Sequence, residues 1–220
     1  ELTGFDLLNL LEDYGLKILA CLFPKEQKTF SCFHPGLNAP VFFLNSVNSS
    51  EEKSVSLAYE LGYQIFKKEE TPSNNLFPAS EKDPLEEACE RFASCFLIPE
   101  KKLKKTLEQT GLHPRLIDYD LLLHLKKRFV VPAKLFILRL WELELISKKQ
   151  NDLFLSLLKP EEPSFTEPLP SAISLNENQR LKELILISGK NDSHTEEVRL
   201  LEAKLKALGV VELVNCLHQA

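Results

Sequence analysis

The sequence predicts an α+β fold, with a small sheet early in the chain and a mostly helical C-terminal half. Three observations carry that expectation. Two short apolar runs, residues 16–22 and 40–44, the second carrying Val41, Phe42 and Phe43, read as strands and are too short to be helices. Further on, apolar residues recur at helical spacing, as in Leu121, Leu122, Leu125 and Phe129, and again in Phe136, Ile137, Leu140 and Trp141. Prolines and polar clusters separate these segments.

Thr3 with Asp6 caps a first helix, whose apolar face is Leu7, Leu8, Leu10 and Leu11. The two predicted strands follow, joined by a loop containing His34-Pro35-Gly36. A helix over Ser54–Gln64 backs the sheet. Thr71–Lys82 is polar with two prolines and reads as an exposed loop. Asp83-Pro84-Leu85-Glu86 then supplies an N-cap, a proline at N1 and an acid at N3, the signature of a capping box. Helices over Ile117–Arg128 and Ala133–Leu145 form a hairpin broken at Val130-Val131-Pro132. Pro160, Pro163, Pro168 and Pro170 lie among acids and serines, a composition that favours an extended linker. Beyond it, Ser193 and Glu196 box a helix with the stripe Val198, Leu201, Leu205 and Leu208. The expected organisation is a body at 1–110, a helical hairpin at 111–150, a proline-rich linker at 151–174 and a helical segment at 175–220.

At 220 residues and 44% hydrophobic, the chain can bury one good core or two small ones. It has no run of about 18 apolar residues, so no helical membrane span is expected. No basic stretch with an apolar core opens it, which favours the cytoplasm. The five cysteines form no C-x-x-C pair, excluding a zinc ribbon or thioredoxin-like motif and making buried free thiols the expectation. Cys89 and Cys95 share a helix with Glu86, leaving a redox or relocated metal site open. The five histidines are scattered and form no ligand-like pair, and a net charge of −5 argues against general affinity for nucleic acid.

The most informative stretch is Ser54-Val-Ser-Leu-Ala-Tyr-Glu-Leu-Gly-Tyr-Gln64. In an H-E-x-x-H helix, histidines at i and i+4 hold zinc from one face and the glutamate between them is the general base. Here the frame is Tyr59-Glu60-Leu61-Gly62-Tyr63, with tyrosine at both ligand positions. A phenol with pKa near 10 must lose its proton to ligate well, which costs roughly 4 kcal/mol at pH 7. Tyrosine is also longer than histidine, so its oxygen overshoots a metal placed for imidazole. The same stretch, with Val55, Ala58, Ile65 and Phe66, also reads as an ordinary amphipathic helix.

Downstream lies Glu86-Glu-Ala-Cys-Glu-Arg-Phe-Ala-Ser-Cys-Phe-Leu-Ile-Pro99. Taken with the tyrosine helix, it resembles the ImmA/IrrE family of zinc metallopeptidases and regulators, which pairs A-H-E-L-G-H with an E-x-x-A-N-x-F-A-x-x-L-L-x-P-like segment. The matching residues are Ala58, Glu60, Leu61 and Gly62, then Arg91-Phe92-Ala93 and Phe96-Leu97-Ile98-Pro99. The likeness extends over roughly residues 2–150 and implies a zincin-like motif helix. It places Tyr59 and Tyr63 at the histidine ligand positions, Glu86 at the third ligand (Glu87 if the register slips by one), and Glu60 at the general base. The loop at 71–82 would bound the substrate groove. Glu86 alternatively serves only as a helix cap.

The resulting expectation is a pseudo-peptidase without metal, binding a protein or peptide segment or a regulatory ligand. The resemblance implies a context of transcriptional or stress control. Two alternatives stand beside it. One is a metallopeptidase with Tyr59, Tyr63 and Glu86 around zinc. The other is a DNA-binding regulator using the 117–145 hairpin, with Lys126, Lys127, Arg128, Lys134 and Arg139 as phosphate contacts. The second helix of that hairpin lacks base-reading Asn and Gln, which favours a structural hairpin with its lysines in solvent.

Overall fold

A computed structural model describes residues 4–24, 29–34, 39–67, 83–111, 117–159 and 165–171, with isolated positions at Asn178, Lys182, Ala203, Lys206 and Ala207. By packing, the described chain forms two compact units. One comprises Gly4–Asn48 with Asn178 and the later described positions; the other is Ser49–Ile173. The expected boundary at 110 falls inside the second unit. The loop at 71–82 and most of the 175–220 segment lie outside the described residues.

The first unit opens with α1 (Gly4–Asp13), which buries Leu7, Leu8 and Leu11. Three strands follow, β1 (Lys17–Cys21), β2 (Thr29–His34) and β3 (Ala39–Asn45), in the order β1-β3-β2. β1 runs parallel to the central β3 and β2 antiparallel to it. The register pairs Ile18 with Phe42 and Ala20 with Leu44, so one face of the sheet is a buried apolar layer. On the other face Phe30 stacks on Phe43 with ring centroids 4.8 Å apart. The sequence reading anticipated β1 and β3 but placed β2 in a loop. β2 is an edge strand of mixed polarity, and its pairing with β3 supplies what its composition does not.

Side-chain amides complete this sheet. Asn178 accepts from the Ala20 N–H at 2.9 Å and donates to the Ala20 carbonyl at 3.2 Å, as a neighbouring strand would. Its φ of 57° is a left-handed conformation that asparagine tolerates. Buried Asn45 accepts from the N–H groups of Phe23 and Val47, and donates to the carbonyls of Phe23 and Pro24, fixing the exit of the chain from β1.

The second unit is helical: α2 (Ser50–Phe66), α3 (Pro84–Leu97), α4 (Glu100–Glu108), α5 (Tyr119–Lys127), α6 (Ala133–Glu142) and α7 (Lys148–Leu158). Residues 151–158, assigned to the linker on composition, therefore belong to a helix, and α6 stops short of the expected Leu145. The starts are chemically defined. Ser49 and Glu52 form a reciprocal capping box on α2, as Ser147 and Gln150 do on α7, and Asp118 caps α5. α4 to α7 share one apolar core that includes Leu103, Leu122, Phe136, Ile137, Leu140 and Phe154.

The same core contains a charge. Lys126 of α5 is fully buried, where an isolated ammonium is not tolerated. Its Nζ donates to Glu167 and lies 3.7 Å from Glu51 of α2. Glu167 also accepts from the Ala133 N–H at the start of α6 at 2.8 Å, and Glu51 accepts from the Ser171 N–H. One ammonium thus joins α2, α5, α6 and residues 165–171. No described helix is long and apolar enough to cross a membrane.

Replacing Lys126 by methionine leaves two carboxylates buried without their cation. The expected cost is about 3–5 kcal/mol, the range for breaking a buried pair from one side. Urea denaturation of the Lys126→Met protein measures it, and a loss below about 1 kcal/mol would show that the ion cluster is not what holds these helices.

Candidate functional site

The site is made by α2 packing on α3. Leu57, Ala58 and Gly62 are the buried positions of the Tyr59–Tyr63 frame and its approach. Gly62 faces Phe92: a Cβ added there would lie 2.9 Å from the Phe92 ring and 3.4 Å from its Cβ. The glycine therefore lets the helices approach closely. Phe92 stacks on Phe96 at 5.5 Å and meets Phe66 edge-on at 5.9 Å, continuing the contact along both helices.

α3 is held in turn by α6. The Arg139 Nε donates to the Ile98 carbonyl just past the end of α3, at 3.2 Å. Glu142 accepts from Arg139 at 2.7 Å and pairs with Arg91 of α3 at 3.3 Å. Ile98 is fully buried, and Pro99 opens α4. Much of the Arg91–Pro99 stretch is thus occupied with packing.

On this frame Tyr59, Glu60 and Glu86 come into one neighbourhood, with Cys89 among them. Burial raises the Tyr59 phenol above its ordinary range, and Cys89, Glu86, Glu60 and Glu90 raise it further. The buried Cys89 thiol is likewise raised by burial and by Glu60, Asp83 and Glu86. Tyr63 is half-buried one turn beyond Tyr59 and has the Lys67 ammonium 5.5 Å above its ring. Glu86 is exposed in the first turn of α3. The cap there is the Asp83 carboxylate accepting from the Leu85 N–H at 3.0 Å, with Pro84 at N1, rather than a reciprocal box through Glu86. Glu87 is also exposed in that turn. Glu90 and Cys89 were not expected as neighbours of the phenol. Their positions three and four residues after Glu86, on one face of a helix, were the available signal.

As zinc donors these residues fit poorly. A phenol whose pKa is pushed up by burial, by the Cys89 thiol and by three glutamates is a worse ligand than free tyrosine. Among the described residues, no three His, Cys, Asp or Glu side chains converge as a metal-holding group. No catalytic step through a metal follows from such a set.

The hairpin of α5 and α6 departs from the expected phosphate-contact surface. Lys126 is committed to Glu51 and Glu167, and Arg139 is buried against Ile98 and Glu142. Neither is a solvated cation, because both serve the interior. Lys127 is half-buried, and Arg128 and Lys134 are exposed. The exposed side of α6 carries Leu138 and Trp141. Of the described cysteines, Cys21, Cys32, Cys89 and Cys95 are all free thiols; Cys32 is exposed, and burial lifts Cys21 to about 11.

No curated protein matches the chain. The profile of the IrrE N-terminal-like domain, a peptidase family, matches residues 11–140, more than half of the 220. That span takes in the sheet, the Tyr59–Tyr63 helix and the Glu86–Pro99 segment. The chain belongs to the family of IrrE N-terminal-like domains.

Proposed function

We propose that this chain is a non-catalytic member of its family, whose α2–α3 site binds a polypeptide segment without metal and acts as a cytoplasmic regulatory module in transcriptional or stress control. What supports the proposal is the pair Tyr59 and Tyr63 where the resemblance expects ligand histidines, with the Tyr59 phenol favoured in its neutral form by burial and by the groups around it. At the position the resemblance gives to the general base, a carboxylate such as Glu60 depends on a Lewis acid to polarise the scissile carbonyl, and metal polarisation contributes several kcal/mol in such reactions. Two half-buried tyrosines offer aromatic area and hydroxyl groups to a bound segment. Asp83, Glu60, Glu86 and Glu90 give the surroundings negative charge, so a segment carrying lysine or arginine suits the site best. The regulatory context rests on the family.

Purified protein is expected to carry zinc far below one atom per chain by elemental analysis. The Tyr59→His/Tyr63→His double variant, which rebuilds the H-E-L-G-H frame beside Glu86, should take up about one zinc per chain, the count of a mononuclear site. Stoichiometric zinc in the unaltered protein, lost on Tyr63→Phe and accompanied by cleavage of a polypeptide, would falsify the non-catalytic reading.

Peptide affinity tests the binding half. By fluorescence anisotropy, lysine- and arginine-rich peptides should bind more tightly than acidic peptides of equal length. Glu86→Gln with Glu90→Gln should weaken the basic peptides by roughly three- to tenfold, the coupling of one or two partly screened charge pairs. Equal affinity for both peptide classes would remove the electrostatic argument.

The phenol itself reports on the site. Because the folded-state pKa of Tyr59 is raised, its contribution to stability is intact below about 10, the unfolded value, and is lost as pH rises through the folded value. Tyr59 and Tyr119 should ionise above the ordinary phenol range in an absorbance titration at high pH. Tyr59→Phe should remove amplitude from the late part of the curve. Loss from the early part would place the phenol outside the acidic neighbourhood.

A further inference from the structure

Residues 165–171 run without helix or strand across the helical unit, in a stretch whose composition predicts a linker. Their large apolar side chains do little to hold them there, since Phe165 and Leu169 both remain more than a third exposed. Polar contacts do the fastening. Glu167 accepts from Lys126 and from the Ala133 N–H, and the Ser171 N–H donates to Glu51. Leu169 adopts a φ of 46°, a left-handed conformation that strains a leucine, and this strain opposes docking.

The charge count matters most. Two carboxylates, Glu51 and Glu167, share the one ammonium of Lys126. When Glu167 leaves, Lys126 keeps Glu51, and no buried cation is stranded. Undocking is therefore separable from unfolding, in contrast to the loss of Lys126 itself. What Glu167 vacates is a receptor for a carboxylate: a fully buried ammonium and an N–H at the start of a ten-residue helix, where negative charge is favoured.

We propose that residues 165–171 form a detachable strap, with Glu167 as the intramolecular carboxylate ligand of a receptor made by Lys126 and the N-terminus of α6. The strap also reaches α2 through Ser171 and Glu51, in the first turn of the helix that carries Tyr59 and Glu60. Glu167 is also felt on α5, where the Tyr119 phenol is raised by burial and by the charges of Glu167 and Asp120. The opened receptor takes a carboxylate supplied from outside, as from an acidic peptide segment. This inference stands apart from the α2–α3 binding reading.

Hydrogen exchange on the full chain tests it. In Glu167→Ala, peptides covering 165–171 should exchange about tenfold faster or more, while the interior amides of α5 and α6 keep their protection. Acetate or propionate should then raise the melting temperature of Glu167→Ala, with no such gain in the unaltered protein or with chloride at equal ionic strength. Glu167→Gln, which keeps the shape, should show the same exchange pattern more mildly. Unchanged exchange of the strap in both variants overturns the proposal. So does loss of protection in α5 and α6 together with the strap, or the absence of a carboxylate-specific rise.

Discussion

The fully buried ammonium of Lys126 organises the helical unit. Lys126 has no exposed surface, so its position is acceptable only where carboxylates meet it. Those carboxylates come from the first turn of α2 and from the segment after α7, and one of them also satisfies the first N–H of α6. Fixing α2 at Glu51 fixes the helix that presents Tyr59 and Glu60. Gly62 then sets how closely α3 approaches, and Arg139 and Glu142 hold α3 from its far side. The neighbourhood of Tyr59, Glu60, Glu86 and Cys89 depends on every step in that chain of contacts.

Within the Tyr59–Tyr63 frame, packing and chemistry fall on different residues. Ala58 and Gly62 are buried and serve the α2–α3 contact, whereas Tyr59, Glu60 and Tyr63 are only half-buried. The close approach of the two helices is set at Gly62 and Phe92, one turn of α2 away from Tyr59. Packing also takes up much of Arg91–Pro99, where Phe92, Ile98 and Pro99 act in stacking, burial and helix termination. The residues that pack the two helices are thus separable from those to which the family resemblance assigns chemistry.

α1, α2, α3, α5, α6 and two of the three described strands were legible because their signals are local, whereas α4 was not read as a helix and most of α7 was read as linker. Apolar spacing, Ser49 three residues before Glu52, and Pro84 after Asp83 all act within one or two turns. β2 was not legible, since an edge strand of mixed polarity is specified by the partner that pairs with it. Lys126 was expected among the solvent-facing lysines, although Leu122 and Phe129 flanking it at helical spacing were a legible sign of burial. Its partners were not legible, because Glu167 lies 41 residues away within a proline-rich stretch that reads as linker. At the candidate site, the residue types were visible in sequence, and the gathering of Glu86, Cys89 and Glu90 around a phenol came only from the packing of two helices.

The chain after α7 has a common physical task in each compact unit. Glu167 accepts from an N–H that α6 leaves open at its start, and Asn178 answers both the N–H and the carbonyl that Ala20 leaves open on the edge of β1. In both cases a side chain that itself lies outside helix and strand supplies the hydrogen bonds that regular structure lacks at its boundary. A buried backbone group left unsatisfied costs roughly 1–3 kcal/mol, so such a segment contributes to stability without a core of its own. Because these contacts are polar, they can be exchanged for other polar partners in a way that buried leucines cannot. A segment that reads as linker by composition can thus complete the fold and still be the part most readily released from it.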